Sequence, residues 1–437
     1  MRSLTFRGGV HPPEHKEETM NASIRELPAP ERLTVSLSQH IGAPSEPLVK
    51  VGDTVLMGQK IGDSPVTVTA PVHSPVSGTV EEIVNTPLPN GRSARAIVIR
   101  NDLKDTPDPA TKQERGLTDL TPEEIVSIIE SAGVVGMGGA SFPTHVKLNP
   151  AKPIDTVVVN GAECEPYLTN DYQVMLTYGK EIVGGLSAVL YRFGIKNGVI
   201  GIEDNKPRAI EALKPLLQDG MKIKKLKTKY PQGSEKQLIW SLTHREVPAG
   251  GLPADVGVAV VNVSTCVAIY NAVFHGKPLT RRVVTVTGSA VENPGNFLVR
   301  VGTPVSALLE AAGLKEEPAK IISGGPMMGF ALYTAEVPII KSSGGIVALT
   351  KEDLEPVEAD PCIRCGQCVR ACPMGLSPVS LTNFSQLKNY EMCEKLDVLS
   401  CIECGTCAYL CPSRRYPLQY IKLAKAAIME QRRKEKK

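Results

Sequence analysis

The chain has 437 residues, 42% of them hydrophobic and 22% charged, with a formal net charge of +3. This is the composition of a globular protein with ample core, and the length predicts about three domains. Only 4% of residues are aromatic and no recognition motif occurs, so nucleic-acid binding is excluded. No apolar run approaches the roughly 18 residues of a membrane span. The N-terminus, MRSLTFRGGVHPPEHK, lacks the apolar stretch of a secretory signal.

Residues from about 30 to 102 are rich in Val, Ile, Thr, Gly and Pro. The stretch VKVGDTVLMGQKIGDSPVTVTAPVHSPVSGTVEEIV predicts short strands broken by Gly-Asp and Pro turns. It resembles the barrel-sandwich hybrid domains that carry lipoate or biotin on a hairpin lysine. No lysine occurs between Lys60 and Gly78, and Thr67 takes its place, so the expectation is the fold without the covalent cofactor. Residues 101–120 are polar and Pro-rich, as in a linker. A helix then begins sharply: Thr121 suits the N-cap, Pro122 the first helical position, and Glu124 completes a capping box. It stops at Gly133.

The loop GMGGASFP (136–143) follows. Glycines let backbone N–H groups approach a phosphate that side chains would block. From there to about 280, strand-like runs (Thr156–Asn160, Val199–Ile202, Met221–Leu226, Val256–Val261) alternate with helix-like runs (173–193, 206–218, 234–244, 265–275), the pattern of a parallel α/β sheet. The first strand runs into GAECEP, so Glu163 and Glu165 stand beyond its carboxyl end. Asn262 stands beyond the last, and Lys147 just past the glycine loop. Ligands of open α/β sheets collect at those ends. Residues 281–350 return to β character, with one helix expected near 304–313.

Cys362, Cys365, Cys368 and Cys372 form C-x2-C-x2-C-x3-C-P, and Cys401, Cys404, Cys407 and Cys411 repeat it; these hold eight of the 11 cysteines. Such a run ligates a [4Fe–4S] cluster, the fourth cysteine of each run serving the other's cluster. One cluster is thus expected on Cys362, Cys365, Cys368 and Cys411, the other on Cys401, Cys404, Cys407 and Cys372. Zinc sites use paired C-x2-C units instead. A disulfide framework does not suit so long a chain without a secretory signal. The helical spacing between the runs predicts a helical dicluster domain rather than a compact β-rich ferredoxin. Cys164, Cys266 and Cys393 lie outside the runs and read as small buried hydrophobes. The tail, residues 422–437, carries seven Lys/Arg and two Glu, a solvated helix end. Two single-electron clusters fed by a hydride donor require a flavin, which accepts a pair and releases singles.

At these motifs a resemblance enters. GMGGASFPTHVK looks like the GRGGAGFPTGLK loop of the NADH-oxidising flavoprotein subunit of respiratory complex I, and NGAECEP like its NADEGEP. YPQGSEKQL and VNVSTCVA look like its later segments. Met137 departs from the loop arginine, Ser141 from a glycine, and two clusters replace one. The order of parts is closer still to the RnfC subunit of the Rnf complex, which this chain resembles over nearly its whole length. The resemblance implies a multidomain α/β protein. A barrel-sandwich hybrid domain with linker would occupy 1–120, an FMN/NADH-binding α/β domain 121–280, a β-grasp domain of the soluble-ligand-binding type 281–350, and a helical dicluster ferredoxin-type domain with basic tail 351–437.

By the same resemblance, Gly136, Gly138, Gly139, Lys147, Asn160, Asn262 and Thr265 would hold FMN. Glu163 and Glu165 would be the catalytic pair contacting NAD(H). The partners would be the other subunits of the membrane complex and, through them, ferredoxin. The place would be peripheral, at the cytoplasmic face of the cell membrane. Three function classes follow: an NADH-oxidising subunit of an ion pump, which the resemblance favours; a soluble flavin and iron–sulfur cobalamin reductase; and a relay module without its own nucleotide site. The glycine loop and the acidic pair speak against the third.

Overall fold

The computed structural model describes residues 4–139, 141–354 and 358–435. Ala140 of the glycine loop and Lys436 and Lys437 of the basic tail lie outside the described residues. Among those described, no helix is long and apolar enough to cross a membrane.

The N-terminal barrel is two small sheets. One orders its strands Arg32–Ser36, Ser93–Asn101, Gly78–Pro87 and Thr54–Val55; the other orders Glu46–Pro47, Lys60–Asp63 and Val72–His73. Alternating apolar residues close the core between them, among them Leu33, Val35, Ile61, Val72, Ile97 and Ile99. The exposed bend at Thr67 packs on the next unit, its carbonyl 3.2 Å from His145 Nε2.

The stretch 101–120 folds into two short 3-10 turns and lies along the α/β unit, with Arg115 N donating to Phe274 O at 3.1 Å. Helix α1, Pro122–Ser131, starts on the expected capping box: Thr121 Oγ1 accepts from Glu124 N at 3.3 Å and Glu124 Oε2 from Thr121 N at 2.7 Å. The α/β unit has four parallel strands in the order Met221–Leu226, Gly198–Glu203, Thr156–Gly161, Val258–Asn262. Val256 falls in a preceding 3-10 turn, because Pro253 and the left-handed Gly257 delay the strand. After the short helix α2 (Thr144–Lys147), the helical run expected over 173–193 is two helices, α3 (Asn170–Thr177) and α4 (Gly179–Phe193), broken at Tyr178. Helices α5 (Pro207–Leu213), α6 (Glu235–Thr243) and α7 (Val263–His275) fall close to their predicted spans. In chain order the sheet runs third, second, first, fourth. Its direction of winding reverses between Thr156–Gly161 and Val258–Asn262, where such sheets open a crevice for ligands.

A six-stranded mixed sheet follows: Ile24–Glu26, Gly295–Arg300, Arg281–Thr287, Gly345–Leu349, Lys320–Ser323 and Phe330–Leu332. One helix, Val305–Ala312, buries Val305, Leu308, Leu309 and Ala312 against it. The strand Ile24–Glu26 precedes the barrel in sequence yet pairs here, parallel to Gly295–Arg300. The C-terminal unit is helical, as its spacing predicts: Gln367–Ala371, Pro378–Gln386, Tyr390–Lys395, Thr406–Tyr409 and Pro417–Glu435.

Candidate flavin and iron–sulfur sites

The reversal point of the parallel sheet gathers most of the predicted residues. Asn160 and Asn262 end adjacent strands as register partners. Asn262 caps α7, its Oδ1 accepting from Ser264 N at 2.8 Å, while its Nδ2 donates to Asp171 Oδ2 at 2.7 Å. Asn160 accepts from Ala162 N at 3.1 Å and donates to Gly233 O at 2.8 Å, so it shapes both loops that leave the strand ends. The glycine loop closes over this floor: Gly136 N donates to Phe142 O at 2.8 Å, and Met137 N donates to Thr265 Oγ1 at 3.0 Å. Gly138 backs directly onto Asn262, and a Cβ there would stand 2.9 Å from Nδ2. Gly139 and Gly136 have room for a Cβ, so packing within the chain does not explain them. Lys147, in the short helix Thr144–Lys147, comes to the same strand end but is committed: its Nζ donates to Glu235 Oε1 and to Val260 O, both at 3.0 Å.

The two glutamates diverge. Glu163 is buried and turns inward, its Oε1 accepting from Asp171 N at 2.7 Å. Lys16, from the N-terminal HPPEHK stretch, donates to the Glu163 carbonyl at 2.5 Å and lies 3.9 Å from Oε2. A second buried pair, Lys206 and Glu203, stands close by at 3.0 Å. Burial pushes the Glu163 carboxyl up to about 7, against the pull of Lys16 and Lys206. Glu165 faces the other way, its Oε2 accepting from Met327 N of the mixed-sheet unit at 3.1 Å, and burial pushes it up to about 7 as well. Glu163 Oε2 and Glu165 Oε1 are both covered and without a hydrogen-bond partner. A buried polar atom left bare is costly, and its retention asks for a reason. Acceptors of this kind suit the hydroxyl and amide donors of a nucleotide. With the unexplained glycines, they make the residues present a fit for a bound flavin and its hydride donor.

In the C-terminal unit, Cys404 and Cys407 are buried and the thiols of Cys401, Cys404 and Cys407 each feel the charge of Cys372. Cys368 feels Cys411 and Cys365 instead. Cys372 thus stands near the second run and Cys411 near Cys368, while Cys407 also feels Cys368. Burial pushes the Cys407 thiol up to about 12 and Cys401 to about 11, a shift that bonding to iron would reverse. The set around Cys404 is the one docked on the α/β unit. Tyr230 is buried, and its hydroxyl donates to Cys404 O at 2.7 Å. Gln237 Nε2 reaches Pro373 O at 3.3 Å. Gly9 N donates to Ala371 O at 2.8 Å, and any Cβ at Gly9 would stand 2.5 Å from Tyr230 O. The Arg-Gly-Gly stretch is therefore a thin strap between the two units.

Sequence reasoning did not single out Asp171, Lys16, Tyr230 or Arg282 as site residues. Asp171 links Asn262, Ser264 and Glu163. Its only signal was its nearness to the acidic loop. His15 stacks on Tyr167 with centroids 4.7 Å apart, a structural role. Cys266 and Cys393 are buried and raised by burial, as small hydrophobes are.

Fold and sites together define a flavin and iron–sulfur electron carrier. Residues 129–271 match the Nuo51 FMN-binding domain, 283–331 the SLBB domain and 361–415 the 4Fe-4S dicluster domain. Residues 4–104 match the RnfC barrel sandwich hybrid domain. The chain is 48% identical to the C subunit of the proton-translocating ferredoxin:NAD(+) oxidoreductase complex of Clostridium ljungdahlii, over 97% of this chain and 93% of that one. It is 45% identical to the C subunit of the Na(+)-translocating ferredoxin:NAD(+) oxidoreductase complex of Acetobacterium woodii, over 98% of each. The C subunit of the ion-translocating oxidoreductase complex of Vibrio cholerae is 44% identical over 90% of this chain but only 52% of that longer one. An NAD+-reducing [NiFe]-hydrogenase in the H2-reduced state shares the fold at a TM-score of 0.51 and 18% identity, over 72% of this chain and 65% of that chain. The chain belongs to the RnfC family, the C subunits of the ion-translocating Rnf oxidoreductase complexes. None of these relatives is named as a soluble cobalamin reductase.

Proposed function

We propose that this chain is the subunit at which a membrane-associated, ion-translocating oxidoreductase complex exchanges hydride with NAD(H) and splits it into single electrons. The observation that carries the reading is the reversal point of the sheet. A glycine loop and two register-paired asparagines meet there, and the loop that leaves the first strand carries two carboxylate oxygens without hydrogen-bond partners. FMN, when bound, supplies the step from hydride to single electrons. Gly138 and Gly139 would present backbone N–H groups to it, Gly136, whose own N–H goes to Phe142 O, would hold the loop's shape with Asn160, Asn262 and Thr265, and Lys147 would supply positive charge beside the strand end. Glu163 and Glu165 accept hydrogen bonds from the nicotinamide nucleotide, and their charge disfavours the extra phosphate of NADPH. Cys372, Cys401, Cys404 and Cys407 would hold the cluster nearer the flavin unit, because their loops dock on that unit through Tyr230 and the N-terminal strap. Cys362, Cys365, Cys368 and Cys411 would hold the second cluster, which would supply single electrons toward the partner subunits and, through them, ferredoxin. The chain docks peripherally, at the cytoplasmic face. The test is anaerobic reconstitution of the full chain with iron, sulfide and FMN. Flavin bleaching by NADH, faster than by NADPH and followed by cluster reduction, supports the reading. A chain that binds no FMN removes it.

A further inference from the structure

Among the described residues, Arg282 is a buried charge whose partners do not account for it. It lies on the strand Arg281–Thr287 of the mixed sheet, only 3% exposed. Its Nε donates to Ser343 O at 3.1 Å, which suffices to tie that strand to its neighbouring loop. Its Nη1 reaches across to the α/β unit and meets Met137 Sδ at 2.7 Å, directly beneath the glycine loop. Its Nη2 is covered and has no partner at all. Asp171 is near enough for its charge to be felt, but its carboxylate already accepts from Asn262 and Ser264. A neutral thioether is a poor partner for a guanidinium, and a buried cation with an unmet donor is expensive. Packing the two units together would be served better by an apolar side chain.

We infer that Arg282, delivered by the neighbouring unit, is a second cation of the flavin seat, beside Lys147, and that it acts through Met137 on an anionic group of the bound flavin. Resting on the flavin reading above, the inference adds a positioning residue from a different part of the chain. It accounts for the loop itself: at Met137, where the resembling complex I loop has arginine, this chain has no charge. The guanidinium arrives from beneath instead. Burial draws Arg282 down to about 10, so it stays charged at neutral pH. The anion is either the flavin phosphate or the ring edge that gains charge on reduction. Both share one chemistry, and the experiment separates them.

The test uses the full chain with its clusters. Dissociation constants for FMN and for riboflavin are read by fluorescence quenching, and the flavin midpoint potential by dye titration. Arg282→Met is expected to weaken FMN ten- to hundredfold. If riboflavin binding is unmoved, the target is the phosphate. If the two flavins weaken together and the midpoint falls, by about 30 mV for each tenfold loss of preference for the reduced form, the target is the ring. Arg282→Lys should keep most of the affinity. The exchange Met137→Arg with Arg282→Met, which preserves both groups within the same contact, should restore it. The exchange also decides the matter if Arg282→Met alone loses its clusters. Unchanged affinity and potential in Arg282→Met overturn the inference, as does a loss in Arg282→Lys as large as in Arg282→Met, which would make the role packing. Failure of the wild-type chain to bind FMN overturns the flavin reading itself, and this inference with it.

Discussion

Replacing Glu165 by glutamine should make the empty chain more stable and the working one slower. The carboxyl sits at about 7 because burial disfavours its charged form, with Met327 N and a bare Oε1 as its surroundings. A carboxyl raised in the fold favours folding only while protonated. The stability it confers is full below about 4.5 and is lost as pH rises through about 7. Relative to the acid limit, the raised carboxyl costs the fold roughly 3 kcal/mol at pH 8, where it is charged, and about 1 kcal/mol at pH 5.5, where the fold holds the proton that the unfolded chain releases. Glutamine has the same shape, still accepts from Met327 N, and carries no charge. At pH 8, in the absence of nucleotide and flavin, Glu165→Gln should therefore raise the melting temperature of the α/β unit by roughly 6–12 °C, at about 2–4 °C per kcal/mol. The single tryptophan, Trp240 on α6, reports that unit alone. The gain should shrink by more than half at pH 5.5. In the reconstituted chain the same substitution should slow flavin bleaching by NADH about ten- to hundredfold, the worth of a lost charged hydrogen bond. Bleaching by dithionite, which needs no pocket, should not slow. A melting temperature that does not rise at pH 8, or a gain that persists undiminished on acidification, would refute the burial argument. Equal NADH rates would remove Glu165 from the nucleotide site.

Three other substitutions probe separate parts. Gly138→Val should abolish FMN binding while both clusters survive, because its Cβ would already stand 2.9 Å from Asn262 Nδ2; iron content and flavin fluorescence together check this. Cys411→Ser should damage the cluster of Cys362, Cys365 and Cys368 and spare the other, as EPR would show. Two intact signals in that variant would sink the crossed ligation. Tyr230→Phe leaves Cys404 O without its donor at a cost of about 1–3 kcal/mol. It should slow cluster reduction after NADH without slowing flavin reduction, and equal cluster rates in stopped flow would show that docking does not depend on this bond.

The sequence was legible where chemistry is local. Thr121 and Glu124 announce a helix start because a capping box lies within four residues. The cysteine runs announce clusters because ligand spacing is fixed by the iron. The glycine loop, the acidic loop and the four parallel strands fall where period and turn signals put them. The break at Tyr178 was hidden, because the residues on either side continue one apolar periodicity. The strand Ile24–Glu26 was hidden because its partner lies some 270 residues away in a sheet that no local pattern can name.

What escaped most completely was the set of buried charges. Nothing in the sequence sets Lys16, Lys206, Arg282 and Lys341 apart from other cations, yet all are buried. Lys341 donates to Pro71 O and Gly133 O at 2.6 and 2.7 Å, joining the barrel, the α/β unit and the mixed sheet at one Nζ that burial draws down to about 7. Lys16 ties the N-terminal strap to the Glu163 carbonyl. Each of these bonds from Lys341 and Lys16 spans well over 100 residues, so each exists only once the units are assembled, and burial makes each costly unless every partner is in place. These cations therefore act as registration pins between units: a small misplacement of one unit leaves a charge bare in the interior. A carrier that hands electrons between cofactors on different units needs their spacing fixed. Apolar contacts between units slide more readily than a buried Nζ held by two carbonyls.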